Sequence, residues 1–560
     1  MWEPGWRETV LEAATTTEWD LVVIGGGITG AGILRESVRQ GLKTLLVEGR
    51  DFAWGTSSRS SKLVHGGIRY LRQRRFGLTA RAVRERERLV REAPGLVDRL
   101  GFLLAVYAHQ DRAVYGFGLN FYDLIARHRG HKYHSAHDFG FYAPHLSREG
   151  LLGGFSYADA STDDARMVTR LLREAVGSGG SAVNYAPVRS LLRDGDSLRG
   201  VAVADAETGR EYEIASKMVV NATGAFTDSL RSEVGGEPMM RPLRGSHLVF
   251  PRRRLPVAQA VSFKHAAGAS EIFAYPWEGA TIVGTTDIDH DRSLSEEPRA
   301  SAAETEYMVA ALRHRFPTLD LGQHEAVSSW AGVRPVVRRK ALDPSKESRE
   351  DLIVEEGGLL SVTGGKLTTF RLTAHEVLAR VLEKLGLPAT VNSRSRARSR
   401  IFDDPLARTG DASETFASQP SFDEVLGRES VVRLLGRHGR EARALIYAAE
   451  PGELTPIPGT YTPWAELRWA ARCEGVVHLD DLLLRRTRIG VVLPRGGEAL
   501  LGRVRSICQP ELGWSDDRWE AERAAYLKTW EQSYAVPGVI KEALEETGKT
   551  VHQTHPAIIR

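Results

Sequence analysis

The stretch DLVVIGGGITGAG, Asp20 to Gly32, followed by KTLLVE ending at Glu48, constrains this chain more than any other. Leu21 to Ile24 form a short apolar run suited to a parallel strand buried on both faces, and the run stops at glycine. Gly25, Gly27 and Gly30 fit G-x-G-x-x-G. In that pattern the first glycine permits a tight turn, the second lets backbone approach a pyrophosphate, and the third lets helix pack closely on strand. A helix starting near Ile28 would aim its N-terminal N–H groups at the pyrophosphate, and Gly41 can close it as a C-cap. Glu48 ends the second strand about 20 residues beyond the glycines, where a carboxylate accepts hydrogen bonds from both ribose hydroxyls. Strand, turn, helix and acid in this register predict a bound dinucleotide.

A chain of 560 residues is long for one core and predicts about three or four folding units. With 42% hydrophobic and 26% charged residues it reads as globular, and a net charge of +3 argues against a surface built for nucleic acid. The two cysteines, Cys473 and Cys508, stand far apart with no C-x-x-C spacing or histidine cluster, so neither a metal site nor a disulfide framework is expected. That usage fits a reducing, cytoplasmic compartment. Residues Met1 to Trp19 carry Glu3, Arg7, Glu8, Glu12 and Glu18 and lack the apolar core of a signal peptide. No run approaches the length needed to span a bilayer, so membrane contact is expected to be peripheral.

Gly49 to Leu71 is rich in Gly, Ser and Thr and reads as a long irregular, functional segment. Leu78 to Ala93 predicts a helix whose Arg81, Arg84, Arg86, Arg88 and Arg91, interleaved with glutamates, form a solvated face. Asp163 to Ala175 predicts another helix, and Lys217 to Asn221 a second apolar strand running into ATGAFTD, with Gly224 at a further point of close backbone approach. Met240 to Arg339 changes to short alternating runs, which predict an antiparallel sheet inserted as a substrate domain. Leu359 to Val362 returns to a buried strand, after which Gly364, Gly365 and Lys366 lead into a helix from about Thr368 to Leu385. Asn392 to Ser421 reads as a linker. Phe422 to Tyr534 is helix-rich, with Trp464, Trp469, Trp514, Trp519 and Trp530 filling or anchoring its core. The fold class is therefore α/β, α+β overall. Its expected parts are a nucleotide domain over 19–390 with substrate segments at 76–159 and 236–345, a linker at 391–421 and a helical domain at 422–540.

The motifs VVIGGGITGAG, GTSSRSSKLVHGGIRYL, VNATGAFTD, RGSHLVFP, IVGTTD, WAGVRPV, TGGKLTTFR and DLLLRRTRIG span residues 20 to 490. Together they resemble the aerobic, respiratory FAD-dependent glycerol-3-phosphate dehydrogenases, within the D-amino-acid-oxidase-like flavoproteins. The resemblance implies a Rossmann-type FAD-binding domain and oxidation of sn-glycerol 3-phosphate to dihydroxyacetone phosphate by hydride transfer to noncovalent FAD. It also implies that electrons pass on to a membrane quinone. Thr56, Ser57 and Ser58 would lie near the pyrophosphate and isoalloxazine, and the Gly364–Thr368 turn with Leu367 would meet the flavin.

The chemistry of those residues is consistent with this. A reduced flavin is electron-rich at N1 and C2=O, and a lysine or helix N-terminus there lowers its energy, as Lys366 behind Gly364 and Gly365 could. A phosphate dianion calls for cationic and hydroxyl donors, and Arg69, Tyr70, Arg334, Arg349 and Lys366 align with family substrate positions. His65 and His247 are the two candidates for the general base, since imidazole titrates near neutrality. Competing readings are an oxidase returning electrons to oxygen, a flavoprotein acting on an amino acid or 2-hydroxy acid, and a non-catalytic flavin sensor. Arginine-rich surfaces at Arg72–Arg91 and Arg252–Arg254 suit the anionic inner face of the cell membrane. A homodimer is among the expected assemblies.

Overall fold

Trp19–Ile24 is the middle strand of an eight-stranded sheet. The computed structural model describes residues 2–67, 76–126, 130–195, 197–265, 271–338, 351–388, 400–402 and 420–538. Arg69, Tyr70, Arg349, Arg72 to Arg75 and most of the 391–421 segment lie outside the described residues. Around the middle strand, Leu359–Thr363, Glu211–Asn221, Thr44–Val47 and Ser181–Val183 all run parallel to it or to its neighbours. Both faces are covered, which is why these strands are continuous apolar runs: Leu21, Val22 and Val23 have no exposed surface. Helices Ile28–Arg39, Asp164–Val176 and Phe370–Lys384 share one core with them. A Cβ on Gly32 would stand 2.8 Å from the Phe370 ring, so glycine sets how closely the first and last of these helices approach.

The alternating segment from Met240 onward forms most of a second, ten-stranded sheet. It is antiparallel except where Ala260–Lys264 meets Val97–Val106, and it also takes in Lys132–Ser135 and Gly153–Thr162. The irregular segment after Glu48 crosses from one sheet to the other. It makes a 3₁₀ turn at Thr56–Ser58 and then contributes the short strand Leu63–Val64 to the second sheet.

Residues 420–538 are helical, with a π-helical turn at Asp481–Arg486. Trp464, Trp519 and Trp530 are buried in one cluster with Tyr275, Trp277 and Trp330 of the second sheet, while Trp469 and Trp514 are only partly buried. The helical unit thus shares its core with the sheet it covers. Cys473 and Cys508 are free and buried, and burial pushes both thiols up, Cys473 to about 12.

The helix Phe76–Glu92 departs from expectation, because only part of its arginine face is solvated. Arg86 is buried against Asp159 and the Tyr122 hydroxyl, Arg88 pairs with Glu92 at 2.8 Å, and Glu85 is gripped by Arg371 at 2.7 and 2.9 Å. The helix is wedged between the second sheet and the turn that starts helix Phe370–Lys384, so side chains assigned to water by periodicity meet buried partners instead. Ile401 and Phe402, within the expected linker, are buried: Ile401 N–H donates to Glu92 Oε2 at 2.8 Å, and the Arg170 guanidinium lies 4.1 Å from the Phe402 ring.

Candidate active site

At the carboxyl ends of the parallel strands the two sheets enclose a cavity of about 460 Å³. That is the expected place for a ligand in an open α/β sheet. Gly25 has φ +112°, and a Cβ there would lie 2.6 Å from the Ala222 carbonyl oxygen; one on Gly30 would lie 1.8 Å from the Gly25 carbonyl oxygen. Both positions therefore require glycine, and the turn stays open for a ligand because no side chain fills it. Gly27 precedes the helix and lines the cavity, and Ile28 N–H donates to Ser57 Oγ at 2.9 Å.

Glu48 closes one end. Its Oε2 accepts from Gly26 N–H at 2.6 Å and its Oε1 from Arg50 N–H at 2.9 Å, while burial pushes its carboxyl up against those two bonds. Thr56, Ser57 and Gly224 line the cavity as well. Gly364, Gly365 and Leu367 line the cavity wall formed by the turn after strand Leu359–Thr363. The glycine cradle, the acid beside it and a hydroxyl-lined path fit a long dinucleotide such as FAD.

Other residues expected in the site sit around the cavity rather than in it. Gly30 lies beneath the turn. Ser58 is buried with its Oγ toward the Trp54 carbonyl at 3.4 Å. Thr368 is buried, and its Oγ1 donates to the His65 carbonyl at 3.4 Å, so the His65 turn rests on the Gly364–Thr369 turn. Lys366 directly precedes the 3₁₀ turn Leu367–Thr369 and is flanked by the cavity-lining Gly365 and Leu367. The strand Ser328–Val337 forms another wall: Val333 and Pro335 line the cavity, and Thr56 Oγ1 donates to the Val333 carbonyl at 2.5 Å.

Arg334, between them, pairs with Asp287 at 2.8 Å and donates to Thr285 Oγ1 at 3.1 Å. Its charge reaches His247, which is 1% exposed, stacked on Trp330 at 4.7 Å and bonded through Nε2 to Ser61 Oγ at 2.8 Å. His247 Nδ1 has no hydrogen-bond partner among the described residues. Burial first, then Arg334 and Lys62, hold this imidazole well below its usual range, so it is neutral at neutral pH.

Sequence reading missed several residues here. Trp54 lines the cavity with the guanidinium groups of Arg50 and Arg59 at 4.2 and 4.8 Å from its ring, and Ser60 and Asp164 stand in the wall. The signals were the irregular Gly49–Leu71 segment, which holds Trp54 and Ser60, and the pair Asp163–Asp164 at a helix start, where Asp163 Oδ1 caps Arg166 N–H at 3.2 Å. Among the described residues no cluster of His, Cys, Asp and Glu is placed to hold a metal ion.

A parallel sheet with this glycine turn, facing an antiparallel sheet across one cavity, defines a flavoprotein of the oxidoreductase class. Residues 20–377 match the family of FAD dependent oxidoreductases, and residues 408–519 match the C-terminal domain of alpha-glycerophosphate oxidase. Glycerol-3-phosphate dehydrogenase 2 of Mycobacterium tuberculosis is 33% identical over 537 residues, 94% of this chain and 90% of that one. The aerobic glycerol-3-phosphate dehydrogenase of Staphylococcus aureus is 33% identical over 502 residues, 86% and 88% of the two chains. The crystal structure of the glycerol-3-phosphate dehydrogenase from Bacillus halodurans, complexed with FAD, superposes with a TM-score of 0.73 at 29% identity, covering 94% of this chain and 98% of that one. The chain belongs to the glycerol-3-phosphate dehydrogenase family of FAD-dependent oxidoreductases.

Proposed function

We propose that this protein oxidises sn-glycerol 3-phosphate to dihydroxyacetone phosphate and passes the electrons to a membrane quinone. Bound FAD supplies the hydride acceptor. The observation that carries the reading is a cation and a neutral imidazole on paired strands beside the cavity: Arg334, between the cavity-lining Val333 and Pro335, and His247, whose imidazole feels the Arg334 charge. Arg334 suits a phosphate oxygen. His247, bonded through Nε2 to Ser61, and His65, whose carbonyl accepts from Thr368, are the two candidates for taking the hydroxyl proton. Gly25, Gly27, Glu48, Thr56 and Ser57 would hold the nucleotide and its pyrophosphate, and Gly364, Gly365 and Leu367 the flavin. Arg69, Tyr70 and Arg349 complete the proposed phosphate clamp.

Anaerobic titration of the purified holoprotein tests this. Glycerol 3-phosphate should bleach the flavin absorbance and glycerol should not. An unbleached flavin points to a sensor, and bleaching by an amino acid or 2-hydroxy acid in its place points to another substrate class. Rapid reoxidation by air but not by a quinone analogue would make the protein an oxidase.

Arg334→Ala should raise KM for glycerol 3-phosphate by roughly tenfold or more with FAD content unchanged, since a hydrogen bond to a charged group contributes about 1.5–3 kcal/mol. Asp287 would then lose the Arg334 guanidinium and its charge would repel the phosphate, so Arg334→Ala/Asp287→Asn should recover part of the loss. Normal kinetics in the single variant would remove Arg334 from the clamp.

Peripheral membrane contact has its own support. Among the described residues no helix is long and apolar enough to cross a membrane. Helix His109–Ala126 buries Tyr115, Leu119 and Tyr122 but leaves Phe117 and Leu124 71% and 74% exposed, and Phe141 nearby in sequence is 72% exposed. Arg84, Arg91, Arg252 and Arg253 are exposed as well, and such cations gain about 1 kcal/mol each beside an anionic leaflet. The protein should sediment with vesicles containing anionic lipid at low salt, and Phe117→Ser/Leu124→Ser should weaken that binding. A wild-type protein left in the supernatant at low salt would rule the membrane reading out.

A further inference from the structure

The segment that carries Thr56 and Ser57 is gripped from behind by an arginine of the C-terminal helical unit. Arg488 is 2% exposed. Its Nε donates to Asp163 Oδ1 at 3.0 Å, its Nη1 to the Leu484 carbonyl at 2.8 Å, and its Nη2 both to Asp164 Oδ1 and to the Ser58 carbonyl at 3.1 Å. Asp164 is itself part of the cavity wall, and its Oδ2 accepts from Ser60 N–H at 3.1 Å and from Ser60 Oγ at 2.6 Å. Lys62, fully buried, donates to Asp164 at 3.1 Å and to the Ser58 carbonyl at 2.9 Å. Two cations therefore hold one backbone oxygen next to Ser57, and a carboxylate fastens Ser60 two residues further on. Trp277 and Trp330 lie against these cations, with Lys62 Nζ 4.8 Å from the Trp330 ring and 5.1 Å from that of Trp277.

We propose that Arg488 is a positioning residue of the flavin site, through which the C-terminal helical unit fixes the Thr56–Ser60 turn against bound FAD. Lys62, Asp163, Asp164 and Arg488 are all buried, so a donor lost from the Ser58 carbonyl or the Asp164 carboxylate is costly to replace. Without Arg488, Lys62 has to serve Ser58 and Asp164 alone. One ammonium cannot span what the guanidinium fork holds at once, the Asp163 and Asp164 carboxylates together with the Leu484 and Ser58 carbonyls. The turn then has freedom to move at the face that meets the cofactor. This inference uses only the FAD site and does not depend on the identity of the substrate.

The test follows FAD release from full-length holoprotein by flavin fluorescence, with thermal melting as a control for folding. Arg488→Met should release FAD about tenfold faster, the loss of one charged hydrogen bond network at the turn. Arg488→Lys, which keeps a cation on Asp164, should restore much of the retention. Arg437 provides the comparison. It is equally buried in the same contact and pairs with Asp163 and Glu466 at 3.1 Å each, but it reaches neither Asp164 nor Ser58. Arg437→Met should lower the melting temperature and leave the release rate as in wild type. Equal acceleration by Arg437→Met and Arg488→Met would reduce the effect to general destabilisation and overturn the proposal, as would wild-type release from Arg488→Met. Should Arg488→Met not fold, Arg488→Met/Asp164→Asn removes the charge pair together. Fast release from it supports the proposal, and wild-type release overturns it.

Discussion

Lys366→Met should keep the fold and the bound FAD and lower the limiting rate at which substrate bleaches the flavin by roughly a hundredfold to a thousandfold, the loss of about 2.7–4 kcal/mol seen when one preorganised donor is removed elsewhere. Lys366 stands between the cavity-lining Gly365 and Leu367 and immediately before the 3₁₀ turn that opens helix Phe370–Lys384. In the proposed role its ammonium and the positive end of that helix would act in the same sense, favouring negative charge at this edge of the cavity. Methionine conserves most of the stem, so packing changes little. Stabilisation that grows as charge arrives is lost in the chemical step rather than in binding. Stopped-flow reduction over a range of substrate concentrations separates the two. An unaltered limiting rate with a much weaker apparent Kd would move Lys366 into the substrate clamp.

Arg486→Ala should destabilise the holoprotein by about 3–5 kcal/mol, the cost of leaving one member of a buried ion pair behind. Asp51, with no exposed surface, accepts from Nη1 and Nη2 of Arg486 at 2.7 Å each, from Arg485 Nε at 2.5 Å and from Asn184 Nδ2 at 3.0 Å. Burial opposes ionisation of that carboxyl, but the two arginines outweigh it and hold it down to about 2. The sign of the pH dependence follows. A carboxyl depressed in the folded state adds stability above its unfolded value near 3.8, and that contribution fades as pH falls from there toward about 2. Neighbouring Asp481 works the other way. Burial, Asp51 and Asp480 raise it to about 6, so its contribution is complete below about 3.8 and is lost as pH rises through about 6. The deficit of Arg486→Ala, measured by urea unfolding, should therefore be large near neutrality and shrink in acid. Asp51→Asn added to Arg486→Ala should recover part of it at neutral pH. A deficit independent of pH would mean that Arg486 acts by packing alone.

The nucleotide half of the site was legible because its requirements are local. Gly25 and Gly30 collide with backbone if a Cβ is added, and Glu48 meets Gly26 through a strand–turn–helix–strand unit of under thirty residues. The apolar runs at Leu21 and Leu359 announced buried parallel strands for the same reason, since burial on both faces leaves no polar alternation. Helix Phe76–Glu92 was legible in extent but not in surroundings: periodicity marks a polar face but cannot say that Asp159 and Arg371 arrive to meet it.

What the sequence by itself determined is the Rossmann-type unit, the antiparallel texture of the second sheet, the helical C-terminal part and, through its motifs, the family. What only the tertiary structure decided is which charges are buried together. Asp51 with Arg485 and Arg486, Asp164 with Lys62 and Arg488, and Glu474 with Arg166 each join residues from 102 to 435 positions apart. A short motif repeats its spacing wherever it occurs, because the turn that needs it is built from adjacent residues. A buried ion pair between distant elements leaves no such spacing, since each partner alone is indistinguishable from a surface charge until packing excludes water from both.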